Sequence, residues 1–332
     1  MDDRALLQRL IAGPASGDAL ARDAGQTRAA IWKRIEALRE AGVPIEAKAG
    51  RGYTLAQPLQ LLDGEAIVRA LPAASRALLA ALDVVWSIDS TNSELLRQSP
   101  PVHGAQVLLA ERQTGGRGRR GREWRSPLAA HLYLSLSRTF GGGLARLGGL
   151  SLVAGIGVAQ ALHGLGYTQV RLKWPNDLVV AAPDGLRKLG GLLVEGGGEH
   201  AGPVRAVLGL GLNVRMPAAA AAQIGQPWSD LAMLAPTGVA PDRNALAAAV
   251  LAQLLPALQE FDAAGLAPFL PRYAALDALA RERVTVHGAV ASHHGVALGL
   301  DGDGALRVQL DDGSQHSFHS GEVSVRREAG SA

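Results

Sequence analysis

The chain has 332 residues, 48% of them hydrophobic and 19% charged, which excludes an intrinsically disordered protein and predicts about two domains or three small ones. It contains no cysteine, which excludes a disulfide scaffold, a thiolate metal site and a cysteine nucleophile. The formal net charge of +3 is too small to indicate a nucleic-acid-binding protein by itself.

Arginine dominates the basic residues. Among the 33 basic residues, only four are lysines: Lys33, Lys48, Lys173 and Lys188. Either residue can supply a plain positive charge, whereas only lysine supplies a compact ammonium on a long stem. The lysines that remain, Lys173 and Lys188 above all, are therefore candidates for functional positions.

Residues 1–60 are predicted to form a winged helix-turn-helix domain. Gly25 fits the tight turn between two helices, and Thr27 fits the N-cap of the second helix, Arg28 to Glu40. Residues 44–55 follow as a β-ribbon with residues 50–52 at its tip. The second helix buries one stripe of residues: Ile31, Ile35 and Leu38. Its other face is expected to contact DNA through three residues: Arg28, Lys33 and Arg34. The alternative is a helical cap with a solvated basic face.

Residues 61–275 are predicted to form a domain with a mixed sheet, because strands and helices do not alternate regularly. The predicted strands span residues 84–86, 106–110, 131–137, 170–174, 178–181, 191–195 and 204–210, and the predicted helices span 144–164 and 244–264. The apolar stretch 148–162 is short for a membrane span and rich in glycine, so it predicts a buried core helix. The acidic start Met1-Asp2-Asp3-Arg4 does not fit a signal peptide, and we expect a cytoplasmic protein without membrane contact.

Residues 276–328 are predicted to form a small all-β domain. Apolar and polar residues alternate around Val284 and Val286 and again from Leu306 to Leu310. The segments 301–304 and 311–313 are rich in Asp and Gly, as hairpin turns require.

The segment Arg112–Arg125 is the strongest local signal and predicts an anion-binding loop. Its glycines let the backbone approach a ligand closely, and its arginines offer planar donors for carboxylate or phosphate. Gly116, Gly118 and Gly121 match G-x-G-x-x-G, but the segment leads into a strand rather than a helix, which excludes a dinucleotide-binding motif. The alternative is a disordered linker or an RNA-binding patch.

Four further segments carry clustered polar or small residues. Asp89–Glu94 places small hydrogen-bonding side chains before a helix, as a polar clamp or a plain N-cap. Lys173–Asp177 and Arg187–Glu195 place lysines at strand ends, with ordinary turn chemistry as the alternative. Gly209–Val214 is a strand of small residues, and the alanine-rich segment 217–227 that follows it has an inert surface loop as its alternative.

These segments, in this order, resemble the biotin protein ligases, and with the helix-turn-helix in front they resemble the bifunctional ligase/repressor subclass. The resemblance covers nearly all of residues 1–328. It implies a winged helix, a central mixed sheet related to class II aminoacyl-tRNA synthetases and a C-terminal SH3-like barrel. It also implies ATP-dependent activation of biotin to biotinyl-5′-AMP, transfer of biotin to a lysine of a carrier domain, and repression by a ligand-promoted homodimer on operator DNA.

The resemblance also implies roles for particular residues. Those expected to hold biotin and its activated carboxyl are Ser90, Thr91, Asn92, Gln113, Arg117, Gly118, Arg119 and Lys188. Those expected to contact ATP or the adenylate are Trp124 over the adenine, Asn176 and Asn213. Lys188 and Arg119 are the expected catalytic cations, and Asp177 is the candidate for orienting the acceptor lysine. Trp32 is a departure, because the repressor type has a small polar residue there.

The residue chemistry agrees with this interpretation. A biotin carboxylate is ionised at pH 7, so its attack on the α-phosphate needs no general base, and catalysis should come from positioning and cations. Mg²⁺ is expected to arrive with ATP rather than in a protein cage. Three alternatives remain open: a lipoate-type acyl-adenylating ligase, a ligase without repressor activity, and a DNA-binding regulator whose central domain only senses a small molecule.

Overall fold

The structure is a computed structural model that describes residues 1–143, 147–198, 202–288, 291–321 and 323–328. A helical unit comes first, a domain with a seven-stranded sheet follows, and an antiparallel five-stranded sheet comes last. This order confirms the predicted sequence of a helix-turn-helix, a mixed-sheet domain and a small all-β domain.

The N-terminal unit has the predicted local structure. Its elements are α1 (Asp3–Ile11), α2 (Gly17–Ala24), α3 (Arg28–Glu40), β1 (Ile45–Lys48) and β2 (Gly52–Leu55). Gly25 ends α2 in the left-handed conformation (φ 61°), and the Thr27 side chain caps α3 by accepting a hydrogen bond from the Ala30 amide. β1 and β2 pair antiparallel, with Lys48 opposite Gly52 next to the ribbon tip.

The central domain inserts two residues into the core of the N-terminal unit. Leu128 and Ala129, which follow the Arg112–Arg125 loop, pack in the same hydrophobic cluster as the buried side chains of α1 and α3. The Leu128 amide donates to the Ala41 carbonyl (2.8 Å), and a Cβ atom added to Gly42 would lie 2.7 Å from the Pro127 Cβ. The C-terminal end of α3 is therefore held directly against the chain that leaves the loop.

The central domain is built on a sheet with the strand order β3-β4-β5-β9-β8-β7-β6. Its strands are β3 (Leu79–Val85), β4 (Ala105–Ala110), β5 (Leu132–Phe140), β6 (Arg171–Lys173), β7 (Asp177–Ala182), β8 (Gly185–Gly198) and β9 (Val204–Leu212). Its helices are α4 (Gly64–Ala70), α5 (Ala73–Arg76), α6 (Thr91–Arg97), α7 (Leu147–Gly164), α8 (Ala218–Ala221), α9 (Leu231–Leu234), α10 (Arg243–Ala264) and α11 (Leu270–Ala274). Among the strand pairs that the structure describes in this sheet, β3–β4 is parallel and the other five are antiparallel, which confirms the mixed sheet.

Several predicted boundaries need correction. β3 begins well before the predicted residue 84, and β8 is longer than the predicted 191–195 because it pairs with both β7 and β9. The predicted loop 217–227 contains the one-turn helix α8. Of the predicted helix 144–164, residues 144–146 lie outside the described residues.

Helix α7 is the apolar segment predicted to be a core helix. By length and composition it could cross a membrane, but 67% of it is buried inside the protein. Its glycines allow close packing, since a Cβ added to Gly157 would lie 3.4 Å from the Leu254 Cα in α10. The prediction of a core helix is confirmed.

The C-terminal sheet has the order β13-β12-β11-β10-β14, formed by β10 (Arg283–His287), β11 (Ser292–Leu300), β12 (Leu306–Leu310), β13 (Gln315–Phe318) and β14 (Ser324–Arg327). The predicted turns 301–304 and 311–313 join β11 to β12 and β12 to β13. The Trp174 Nε1 donates to the Gly304 carbonyl (3.0 Å), which links this sheet to the Lys173–Asp177 segment.

Candidate active site

A cleft of about 850 Å³ lies between the central sheet, the Arg112–Arg125 loop and the C-terminal sheet. It collects segments that are far apart in the sequence. The predicted ligand and catalytic residues that line it are Ser90, Thr91, Asn92, Gln113, Arg117, Gly118, Arg119, Trp124, Asn176, Asp177 and Lys188. Asn213 is not among the lining residues.

The start of α6 forms a polar wall of the cleft. Ser90 is the N-cap of α6, as the plain-cap alternative requires, and its side chain accepts a hydrogen bond from the Ser93 amide. Thr91 donates to the Gln113 side chain from both its amide (2.8 Å) and its hydroxyl (2.9 Å). The N-cap is therefore confirmed for Ser90, and a polar clamp on a small ligand remains a prediction.

Asn92 is fixed by contacts with two strands. Its Oδ1 lies 2.6 Å from the Ser135 hydroxyl in β5, and its Nδ2 donates to the Glu195 carboxylate in β8 (2.8 Å). A Cβ added to Gly209 in β9 would lie only 2.4 Å from the Asn92 Oδ1, so the strand must carry glycine there. Ser135 and Glu195 were not predicted as site residues. A signal for Ser135 was available, because it is a polar residue between Leu134 and Leu136 in the mostly apolar first half of β5.

The Arg112–Arg125 loop is anchored by backbone hydrogen bonds at several points. The Trp124 amide donates to the Gly116 carbonyl (2.9 Å), and the Gly118 amide donates to the Arg122 carbonyl (2.7 Å). Between them lies a 3-10 turn over Arg119–Gly121. The loop is thus a short hairpin-like projection that carries its arginines over the cleft.

Two arginines of this loop contact other parts of the site. Arg117 donates to the Ser93 hydroxyl (2.9 Å) and lies 3.2 Å from the Glu195 carboxylate. Arg119 donates to the Asn176 side chain (3.2 Å) and to the Ser320 carbonyl of the C-terminal domain. Burial lowers the pKa of Arg119, but an arginine remains charged in proteins, so the cleft keeps this cation.

Two lysines share one carboxylate at the far side of the cleft. The Lys188 Nζ lies 2.6 Å from the Asp177 Oδ1, and the Lys173 Nζ lies 3.9 Å from the Asp177 Oδ2. Burial is the main cause that lowers the pKa of Lys173. Asp177 therefore holds the two ammonium groups in place.

The Trp124 side chain packs against glycines of two strands. A Cβ added to Gly211 would lie 2.4 Å from the Trp124 Cε2, and the Lys188 Nζ lies 5.6 Å from the centre of the indole ring. The small residues of β9 thus leave room for the ring. That Trp124 covers an adenine remains a prediction.

Asn213 lies behind Lys188 rather than in the cleft. It is 5% exposed, and its Nδ2 donates to the Ser229 carbonyl (3.0 Å). The Lys188 carbonyl accepts a hydrogen bond from the Ser229 amide (2.9 Å), so these groups connect the end of β9 to the chain at Ser229. The contact of Asn213 with the adenylate remains a prediction.

The C-terminal domain supplies residues that the sequence analysis did not assign to the site. Residues 323–328 line the cleft, including Arg326 and Arg327. No local signal distinguishes these arginines from others in the chain, because only the packing of the two sheets brings them to the cleft. Within the described residues, no group of three or more acidic or histidine side chains is arranged to hold a metal ion.

The three predicted DNA contacts lie on α3 but differ in their surroundings. Arg28 is largely exposed, 3.7 Å from Asp18, and Lys33 is exposed as well. The Arg34 Nη1 donates to the Asp3 Oδ1 (2.8 Å) and is partly buried, so its guanidinium ties α3 to α1.

The chain matches three family models. The Biotin/lipoate A/B protein ligase family model matches residues 84–213, an HTH domain model matches 3–54, and a Biotin protein ligase C terminal domain model matches 282–326. It is 39% identical to the bifunctional ligase/repressor BirA of Escherichia coli over 94% of this chain and 92% of that protein.

Two further relatives match a large part of the chain. The biotin–[acetyl-CoA-carboxylase] ligase of Paracoccus denitrificans is 33% identical over 68% of this chain and 93% of that protein. The solved structure of the Aquifex aeolicus biotin protein ligase in complex with biotin and ATP superposes with a TM-score of 0.61 at 26% identity, over 75% of this chain and 100% of that chain.

Proposed function

The chain belongs to the biotin protein ligases of the bifunctional ligase/repressor type, and on that premise we propose that it activates biotin with ATP and transfers it to a carrier protein. The products of the two steps are biotinyl-5′-AMP and biotin joined to a lysine of a biotin carboxyl carrier protein, as in acetyl-CoA carboxylase. The observation that carries the proposal is the cleft in which the polar start of α6, the arginine loop and Lys188 converge.

In the first step, a carboxylate oxygen of biotin attacks the α-phosphorus of ATP and pyrophosphate leaves. Both reactants are anions, so the main obstacle is their repulsion. Arg117, Arg119 and Lys188 surround the cleft with fixed positive charge, which is most effective where a transition state spreads charge over phosphate oxygens. Mg²⁺ would arrive bound to the ATP phosphates.

In the second step, the acceptor amine attacks the acyl carbonyl and AMP leaves with the acyl–phosphate bond electrons. The amine must also lose a proton. We propose that Asp177 orients the acceptor lysine, because its carboxylate lies in the cleft and already binds the Lys188 ammonium (2.6 Å). The acceptor would compete for the same carboxylate oxygens.

A direct test is biotin-dependent exchange of pyrophosphate with ATP, followed by transfer of labelled biotin to a carrier domain. We expect exchange with biotin and none with lipoate. Exchange with lipoate alone would favour the lipoate-type alternative, and no exchange with either acid would favour a regulator that only senses a small molecule.

Arg119→Gly should release the activated intermediate. Arg119 connects the loop to Asn176 and to the C-terminal domain, so its loss should open the cleft and let water and foreign amines reach the adenylate. The expected result is biotin on bystander proteins in a mixture containing carrier domain and serum albumin. Modification of the carrier domain alone, with unchanged adenylate release, would contradict the role of this loop as a lid.

Gly209→Ala should weaken biotin binding by roughly 10-fold or more. The added Cβ would lie 2.4 Å from the Asn92 Oδ1, so Asn92 must move and lose buried hydrogen bonds, each worth about 1–3 kcal/mol when a partner is left unsatisfied. Calorimetric titration with biotin measures the affinity. Gly164→Ala is the matched control, because nothing lies within 4 Å of its added Cβ. Equal affinity in both variants would contradict the assignment of Asn92.

We propose that the protein is also a repressor that acts on operator DNA in the cytoplasm. The helix-turn-helix unit and the family support this function. Two copies at a fixed spacing would double the phosphate contacts of a weakly basic domain, so we propose a homodimer promoted by biotinyl-5′-AMP. We also propose that the central domain is related to class II aminoacyl-tRNA synthetases and that the C-terminal sheet is an SH3-like barrel.

A gel-shift titration of the upstream region of the biotin genes, with and without ATP plus biotin, tests the repressor function. Tighter binding in the presence of both compounds is expected. No shift under either condition at low salt would leave a ligase without repressor activity.

A further inference from the structure

Trp32 lies on the solvent-facing side of α3. Of the five tryptophans, all of them in described parts of the chain, it alone is exposed, with 54% of its surface accessible. An indole ring that packs against another surface buries a large apolar area, which is stabilising. An indole that stays in water lacks this stabilisation. Its neighbours in the helix, Ile31 and Ile35, already fill the core.

The surroundings of Trp32 indicate an anionic partner. Arg28 lies one turn before it and Lys33 directly after it, both exposed, and the first turn of α3 carries no acidic residue. The nearest acidic residue along the helix, Glu36, is bound to Arg39 (2.6 Å). Ala29, which is also exposed on α3, has a small side chain that does not block access of a partner to this part of the helix.

The second helix of a helix-turn-helix places its N-terminal half in the major groove of DNA. Trp32 lies in that half of α3. An indole has one hydrogen-bond donor and no acceptor, so it cannot form the paired hydrogen bonds that Asn or Arg makes with a base. The thymine C5-methyl group is the apolar group that a base pair presents in this groove.

We propose that Trp32 contacts the C5-methyl group of one thymine in each operator half-site and thereby determines sequence preference. This inference rests on the proposed repressor function. It separates two kinds of contact on one helix face: Arg28 and Lys33 bind phosphates without regard to sequence, and Trp32 reads a base.

The test combines a protein change with a DNA change. Preferred duplexes are first selected from a randomised pool with the full-length protein, ATP and biotin, and each selected thymine is then replaced singly by deoxyuridine, which lacks only the methyl group. We expect one position per half-site at which uracil weakens wild-type binding by about fourfold, the value of one buried methyl group. For Trp32→Ala, the same replacement should have no effect.

Arg28→Ala is the matched control on the same helix face. It should weaken binding to all duplexes. The slope of the logarithm of the binding constant against the logarithm of the salt concentration should fall by about one, as for one lost phosphate contact, while the effect of uracil persists. Both variants should keep wild-type pyrophosphate exchange, because neither residue lines the cleft.

Three results would overturn the inference, and they are distinguishable. If the wild-type protein binds no selected duplex although exchange is normal, the repressor function fails and the inference fails with it. If the wild-type protein binds but uracil affects wild type and Trp32→Ala equally at every position, the repressor function stands and Trp32 does not read a thymine. A loss of dimer in Trp32→Ala, measured by sedimentation without DNA, would instead assign the indole to a protein contact.

Discussion

Replacing Lys188 by arginine is expected to lower biotin-dependent pyrophosphate exchange by about 10²–10³-fold, the usual cost of one lost transition-state contact. The Lys188 ammonium lies between the Asp177 carboxylate (2.6 Å) and the Trp124 ring (5.6 Å from its centre). A Cβ added to the facing Gly191 would lie 3.2 Å from the Lys188 Nζ, so there is little space for the wider, planar guanidinium. The positive charge remains in the variant, but its position changes.

The adjacent residue offers a matched control for this prediction. Arg187 pairs with Asp184 (3.1 Å) and does not line the cleft. Arg187→Lys should therefore leave pyrophosphate exchange unchanged, whereas Lys188→Arg should lose it. The far-ultraviolet circular dichroism spectra of both variants should match that of the wild-type protein. Exchange near the wild-type rate in Lys188→Arg would show that any cation at this position suffices and would contradict the requirement for lysine.

Replacing Arg243 by leucine is expected to reduce the free energy of unfolding by about 3–5 kcal/mol, the usual cost of breaking a buried ion pair from one side. The Arg243 Nη1 lies 2.8 Å from the Glu111 Oε2, and the two side chains are 5% and 1% exposed. Arg243 also donates to the His131 and Gln60 carbonyls. Burial lowers the pKa of the neighbouring His131 to about 3, so Arg243 is the cation that pairs with Glu111 in the wild-type protein.

Urea denaturation followed by fluorescence would measure this loss. Arg69→Leu is the control, because its pair with Glu65 is largely exposed and should contribute little. The double variant Glu111→Leu with Arg243→Leu should recover much of the loss, because it leaves no unpaired charge in the core. Wild-type stability of the Arg243→Leu single variant would contradict the account. Because Glu111 directly precedes the Arg112–Arg125 loop, the single variant should also show weaker biotin binding.

The sequence alone determined the features whose signals are local. Thr27 and Gly25 specify the start of one helix and the end of another through their own backbone preferences. The glycines and arginines of the Arg112–Arg125 loop indicate anion binding because composition and flexibility act within a few residues. Lys173 and Lys188 are candidates because lysine is rare in this arginine-rich chain. The family resemblance then assigns Lys188 a role in biotin activation.

The contacts between distant groups depend on how whole strands, helices and domains pack. The pairing of β7 with β8 puts Lys188 opposite Val179, two residues beyond Asp177, and thereby brings one carboxylate between two lysines. Asn92 meets Glu195 across 103 residues, and Arg243 meets Glu111 across 132. Strand register, helix packing and the docking of three domains set these distances. A contact of this kind depends on the positions of whole elements, so the local sequence around either residue does not predict it.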